Sequence, residues 1–320
     1  WAKVRYGNFL ADLKDQSWAS RISESIKDAV TDSMGKVYVL PIDWEKSGFI
    51  YNKDILDKYG VKVPKTMDEM ETAMETIKTK SNGAVTPFHI GSSDTWMMGQ
   101  VFDVWATSLL VSPSTNYVDD LTAHKFDWNN FQPLPERLAS WVKKGYFNKD
   151  VLTSKFTDSE NAIVEGKAAF VCHGTWMMSD IAKINPDAKI GLMPVPSIVE
   201  GDAPTFAGGE KTTWGVWKDS KSIDAAKKFV DYFANNENIA AVCKITGLAP
   251  GLDGVETDLG DLTKYYDQYK DIRVFTYFDR QYLPNGLWDP MCLNGQDLFA
   301  GSITPKQFDE NMQKEYTRLW

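Results

Sequence analysis

Asp43, Trp44, Glu45 and Lys46 place two carboxylates, an indole and an ammonium at consecutive positions. Carboxylates accept hydrogen bonds from hydroxyls, an ammonium donates them, and an indole offers a flat apolar face. That set suits a polyhydroxylated ligand. Asp43 and Glu45 could also be read as the acid and base of a glycoside hydrolase, but nothing in the surrounding text would raise either pKa. Further tryptophans stand in polar text at Trp1, Trp96, Trp176 and Trp288, where a platform for a sugar ring is one reading and core packing the other.

The flanking residues show what must hold the quartet. Residues 37–40 are apolar and β-branched, as in a buried strand, and Phe49-Ile50-Tyr51 repeats that signal. Two strands with a polar break between them are therefore expected, the break forming a short link across a cleft. Asn52 or Asp54 can cap a following helix whose apolar face begins with Ile55, Leu56 and Tyr59. Thr66 and Glu69 have capping-box spacing ahead of Met67, Met70, Met74 and Ile77. Residues 95–110 read as a buried helix, 167–172 as a strand and 175–184 as a helix. Residues 200–209 are Gly/Pro-rich and polar, hence a loop, with Gly208-Gly209 as permissive backbone. Residues 222–234 read as an amphipathic helix with Ala226, Phe229, Val230 and Phe233 inward. Thr304-Pro305 opens the last helix. Strands alternating with helices predict an α/β architecture with open sheets.

Several chemistries are disfavoured. The formal net charge of -9 opposes a nucleic-acid partner. No run of about 18 apolar residues occurs. The three histidines, His89, His124 and His173, form no zinc-binding spacing. Cys172 and His173 are adjacent in strand text and point to opposite faces. Residues 208–212 end like a phosphate loop but lack its first glycine and precede a strand. Cys172, Cys243 and Cys292 read as buried thiols.

Four segments in order carry a family resemblance. The first has Leu40-Pro41, Gly48-Phe49, Tyr51-Asn52-Lys53-Asp54, Pro64, Thr66 and Asp68-Glu69. The second runs from Glu165-Gly166-Lys167-Ala168-Ala169 to Gly174-Thr175-Trp176. The third joins Gly208-Gly209 to Thr213-Trp214-Gly215-Val216 and Lys218-Asp219-Ser220-Lys221. The fourth is Trp288 with Ile303-Thr304-Pro305. Together they resemble the extracellular solute-binding proteins of carbohydrate ABC importers, the family 1 type that includes maltose-binding protein.

The resemblance implies a two-lobe periplasmic-binding-protein fold of type II-like architecture. Residues 1–43 and 209–262 would form lobe 1, and 46–208 with 267–320 lobe 2. Hinge segments would lie near 43–46, 208–213 and 262–267. It aligns residues 1–12 with the stretch after the third strand of lobe 1, and so expects two βαβ units, about 60 residues, upstream of Trp1. It implies a carbohydrate ligand, an oligosaccharide, delivered to a membrane ABC permease by a monomer outside the cytoplasm, in the periplasm or lipid-anchored on the cell surface. No reaction and no cofactor are implied. Trp176 would stack on a sugar and Glu45 would bond a hydroxyl at the hinge, with Asp43, Trp44, Trp96 and Trp288 around the ligand. His89 and Asp94 would face the cleft from a strand end, and Trp1 and Arg5 match an aromatic and an arginine that follow the third strand. Val4 departs from the aspartate expected for maltose. A module that binds a partner and no small ligand is the third reading.

Overall fold

The computed structural model describes residues 2–112 and 114–320, with side chains from Tyr6 onward. The expected contributions of Trp1 and the Arg5 side chain lie outside the described residues. Nine strands occur among those described: β1 (Val39–Pro41), β2 (Asp43–Asn52), β3 (Thr86–His89), β4 (Ala168–Gly174), β5 (Ile190–Met193), β6 (Phe206–Glu210), β7 (Thr213–Gly215), β8 (Ala249–Pro250) and β9 (Val274–Thr276). The organising element is β2, all ten of whose residues are buried. Its first half pairs with β8 and β6, its second half with β4 and β5. The path β3-β4-β2-β6-β9 makes one sheet, parallel at β3/β4 and β6/β9 and antiparallel elsewhere. β1 and β7 form a separate antiparallel ribbon.

β2 corrects the expected pair of strands with a polar break. The strand is continuous because each polar side chain of the supposed break finds at least one hydrogen-bond partner inside the protein, although Asp43 Oδ2 and Glu45 Oε2 are left without one among the described residues. Asp43 accepts from the Thr212 N–H at 2.7 Å, and Glu45 accepts from the Tyr277 hydroxyl at 2.6 Å. Lys46 donates to the Tyr269 carbonyl at 2.8 Å. The expected loop at 200–209 is corrected likewise. Gly208 and Gly209 lie in β6, paired with Lys46 and Glu45, and Gly208 is required by close approach. A Cβ there would sit 2.2 Å from the Glu45 backbone oxygen.

Three apolar cores flank this framework. One gathers Trp18, Leu40, Trp44, Val216, Val230 and Ile239 from the chain's first 44 residues and from 216–252. The other two lie on opposite faces of the β4-β2-β5 region. Phe49, Phe170 and Met193 pack on one side with Phe88, Trp105 and Phe308. Ile50, Val171 and Leu192 pack on the other with Met177, Ile181 and Phe206. The alternation follows the period-two geometry of strands covered on both faces.

Local signals decide the helix starts. The Asn52 side chain, not Asp54, caps the helix Lys53–Tyr59, accepting from the Ile55 N–H. Thr66 caps Met67–Lys80, but Glu69 turns back to the Lys65 N–H, so the box closes one residue early. Thr304 and Gln307 form a complete capping box. In the helix Ile223–Phe233 only Val230 is buried. Phe229, expected inward, is 54% exposed and stacks on Trp214 with 5.1 Å between centroids. The three cysteines are buried and free. No described helix is long and apolar enough to cross a membrane.

Two consequences are measurable. Gly208→Ala should cost more than about 2 kcal/mol in urea unfolding, because the added methyl meets backbone. An unchanged midpoint would contradict the β2/β6 contact. Asp309 is buried with neither carboxylate oxygen hydrogen-bonded. Burial first, then Glu136, Asp127 and Glu310, push it up to about 8. The folded protein therefore keeps a proton that the unfolded chain releases near pH 4, and stability falls as pH rises between these values. Asp309→Asn should raise Tm at pH 8 and leave it nearly unchanged at pH 4; equal shifts at both would refute the assignment.

Candidate functional site

At the middle of β2 the period-two alternation divides the quartet. Glu45 and Ser47 face a cleft, while Trp44 and Lys46 face the opposite side, toward Tyr266. The cleft holds a cavity of about 300 Å³. Glu45 forms its floor. Trp96 and Gln100 reach it from the helix Trp96–Leu110, and Trp176 from the first turn of the helix Thr175–Ile184. Lys211, Tyr277, Asp279, Arg280 and Trp288 complete the lining.

β4 places Trp176. It ends at Gly174 opposite Ser47, and the chain turns directly into a helix. Glycine is needed at the turn, since a Cβ on Gly174 would lie 2.1 Å from Glu45 Oε2. Asp103, buried inside the long helix, accepts from the Phe278 and Asp279 N–H groups at 3.3 and 2.8 Å and so fixes Tyr277, Asp279 and Arg280. Burial, then the neighbouring Asp279, hold the Asp103 carboxyl well above the usual range.

Glu45 is only 2% exposed. Ser47 Oγ lies 2.7 Å from the Tyr277 hydroxyl, which in turn donates to Glu45 Oε1. Lys211 Nζ is 3.9 Å from the same oxygen. Burial raises the Glu45 pKa, and Lys211, Tyr277 and Arg280 oppose that shift. The Arg280 guanidinium lies over the Tyr277 ring at 4.7 Å and donates to the Glu210 carbonyl at 3.3 Å.

The opposite wall is aromatic. Trp176 lies 5.1 Å from Phe156 and 5.9 Å from Trp96, centroid to centroid. His173 meets Trp176 perpendicularly at 4.0 Å. Its Nδ1 accepts from the Gly174 N–H, and burial, then Lys211, depress its pKa. The neutral ring therefore carries its hydrogen on Nε2.

Three buried polar atoms here find no hydrogen-bond partner among the described residues: Glu45 Oε2, Gln100 Nε2 and His173 Nε2. Buried polar groups are normally paired. An unmatched acceptor and unmatched donors beside three indoles are what a ligand with hydroxyls and flat C–H faces can satisfy.

The structure thus brings Glu45, Trp96, Trp176 and Trp288 together. Among the described residues, four other candidates lie away from the cavity lining. Asp43 is buried beneath the 211–212 turn, where its Oδ1 is held by the Thr212 N–H and its backbone carbonyl by the Lys211 N–H. Trp44 is on the other face of β2, as period two demands. His89 is buried and bonds Ser159 at 2.9 Å. Asp94 accepts from the Phe156 N–H at 2.8 Å and so supports the aromatic wall. Sequence reasoning missed Gln100, Lys211, Tyr277, Asp279 and Arg280. The one signal available was an aromatic, acid and base in a row at 277–280. Four larger cavities lie elsewhere among the described residues, of about 390, 450, 520 and 600 Å³. None is lined by Glu45, Gln100 or His173.

Residues 7–240 match the family described as bacterial extracellular solute-binding protein. The chain is 37% identical, over all of its 320 residues and 75% of the relative, to the melibiose/raffinose/stachyose-binding protein MelE of Bacillus subtilis (strain 168). A Bacillus subtilis binding protein solved in an open conformation matches with a TM-score of 0.93 at 37% identity, covering 100% of this chain and 81% of that one. A Bacillus licheniformis sugar transporter solved in complex with stachyose matches with a TM-score of 0.90 at 40% identity, covering 100% and 83%. With its two-lobe α/β fold and its aromatic, hydroxyl-seeking cleft, this chain belongs to the bacterial extracellular solute-binding proteins, in the family 1 carbohydrate class.

Proposed function

We propose that the cleft captures an oligosaccharide bearing α-galactosyl units, of the raffinose and stachyose kind, and presents it outside the cytoplasm to a membrane ABC permease. The observation that carries the binding role is the pair of unmatched lining groups, Glu45 Oε2 and Gln100 Nε2, beside Trp96, Trp176 and Trp288. The ligand class is supported by the relatives, one named for melibiose, raffinose and stachyose and one solved with stachyose. We divide the chain into moving bodies at 1–43 with 209–262 and 46–208 with 267–320, hinged near 43–46, 208–213 and 262–267. Support for the division comes from the core of Trp18, Leu40, Val216, Val230 and Ile239, which draws on the first body, whereas Leu262 at its boundary packs with Ile50 and Phe206 of the second. The ligand joins the aromatic wall to the Glu45 floor and shifts the population toward closure. Glu45 acts as a hydroxyl acceptor without catalysis, since Asp43, the second carboxylate of a hydrolytic pair, is committed to the 211–212 turn.

Calorimetry against stachyose, raffinose, melibiose and maltotriose tests the assignment. Stachyose or raffinose should bind most tightly, with no reducing ends released. Failure of every α-galactoside, or hydrolysis of any, would overturn it. Trp176→Ala should cost about 1–3 kcal/mol of affinity through lost stacking and burial, and unaltered binding would remove Trp176 from the site. Because a hydroxyl donates to ionised Glu45, affinity should fall with decreasing pH, beginning above the ordinary glutamate value of about 4.3. Glu45→Gln should bind more weakly and lose that pH dependence; a retained profile would place the titration elsewhere.

A further inference from the structure

Lys211 stands where a ligand should. Its Nζ lies over the Trp176 indole at 4.6 Å from the ring centroid. Resting on the assignment of Trp176 as the sugar platform, we propose that Lys211 is a built-in competitor: its ammonium covers the indole face in the ligand-free cleft, and sugar binding must displace it.

The backbone beneath Lys211 is fixed. The Lys211 N–H donates to the Asp43 carbonyl at 3.0 Å, the Thr212 N–H to Asp43 Oδ1 at 2.7 Å, and the Ile42 N–H to the Thr212 carbonyl at 2.9 Å. Only the side chain is left to move, and it is 40% exposed. Its grip is weak. The nearest carboxylate oxygen, Glu45 Oε1, is 3.9 Å away, beyond hydrogen-bond reach, and already accepts the short Tyr277 bond. The rings recorded beside Trp176, those of Phe156, Trp96 and His173, are packed side chains of the wall itself, and the indole also packs on the core of Met177 and Ile181. The indole surface under Lys211 is therefore the part a sugar ring can reach by moving a flexible side chain. An ammonium and a pyranose C–H face both seek the negative face of the ring, so the two exclude one another. Once displaced, the ammonium stays within reach of solvent and of Glu45, so displacement strands no buried charge.

The experiment compares Lys211→Ala and Lys211→Arg with the parent chain of 320 residues, using stachyose titrations. Alanine leaves the platform bare and should raise affinity about two- to tenfold, the range of a partly exposed cation–π contact. Arginine stacks on aromatic faces more readily than lysine and should lower it. The reverse order, with alanine weakest, would show that Lys211 bonds the sugar and would overturn the proposal. A Trp176→Ala variant separates the two readings. If it binds as the parent does, the platform assignment fails and the competitor with it. If it binds more weakly while Lys211→Ala shows no gain, the competitor alone fails. In ligand-free protein with ¹³C-labelled lysines, the Lys211 Hε protons should be shifted upfield by the indole ring current. That shift should vanish in Trp176→Ala; ordinary Lys211 shifts in the parent would refute the contact without any ligand.

Discussion

A strand that buries ten consecutive residues, several of them charged, can exist only if the rest of the chain satisfies them. This constraint on β2 shapes the molecule. The partners of Asp43, Glu45, Lys46 and Ser47 come from residues more than 160 positions away: the 211–212 turn, Tyr269 and Tyr277. Burying a charge without such partners costs several kcal/mol. The segments that return to β2 therefore return in fixed register, β6 by antiparallel pairing and β9 by parallel pairing to β6. The crossing point between the two halves is also the floor of the cleft. In the proposed division, one strand sets both the geometry of the hinge and the chemistry of the site.

The satisfaction of β2 is incomplete on one side. Facing Tyr266 and Tyr269, Lys46 is hydrogen-bonded and surrounded by the rings of Trp44, Phe206 and Tyr266. Facing the cleft, one oxygen of Glu45 has no partner, nor has the Gln100 amide nitrogen. The protein carries these desolvated groups at a cost to its own stability, and a ligand that pairs them recovers that cost as affinity.

How much of this was legible in the sequence depended on whether a residue's role is set locally. Trp176 was legible because a strand end, a glycine and a helix start are adjacent in the text. Asn52 and Thr304 were legible as caps for the same reason. Trp44 and Asp43 were misplaced because residues 43–48 were read as a polar break. Read as one strand, the period-two rule separates Trp44 from Glu45, although it does not reveal that Asp43 anchors a distant turn. Gly208-Gly209 looks like loop text, since its cause is the Glu45 backbone pressed against it and not a turn. Tyr277, Asp279 and Arg280 gain their positions only from β9 and from the two N–H groups held by Asp103, neither of which leaves a local mark. The periodicity of 222–234 correctly gave a helix but overstated its buried face.

The tryptophans of the cleft are all carried by elements of the two cores that flank the β4-β2-β5 region, whereas Glu45 belongs to the crossing strand and Lys211 to the turn beyond it. On the proposed function and division, an incoming sugar meets its largest contact surface on one half alone, before the other half moves. Encounter and closure become separate events in time. On the proposed division, the rate of capture depends on collision with the aromatic wall and on how readily the Lys211 side chain yields, and not on how often the empty protein happens to close. On the same proposal, the rate of escape depends on reopening, which bends a strand that is hydrogen-bonded on both edges. Fast loading and slow loss then arise from different parts of the molecule, and each can change without the other.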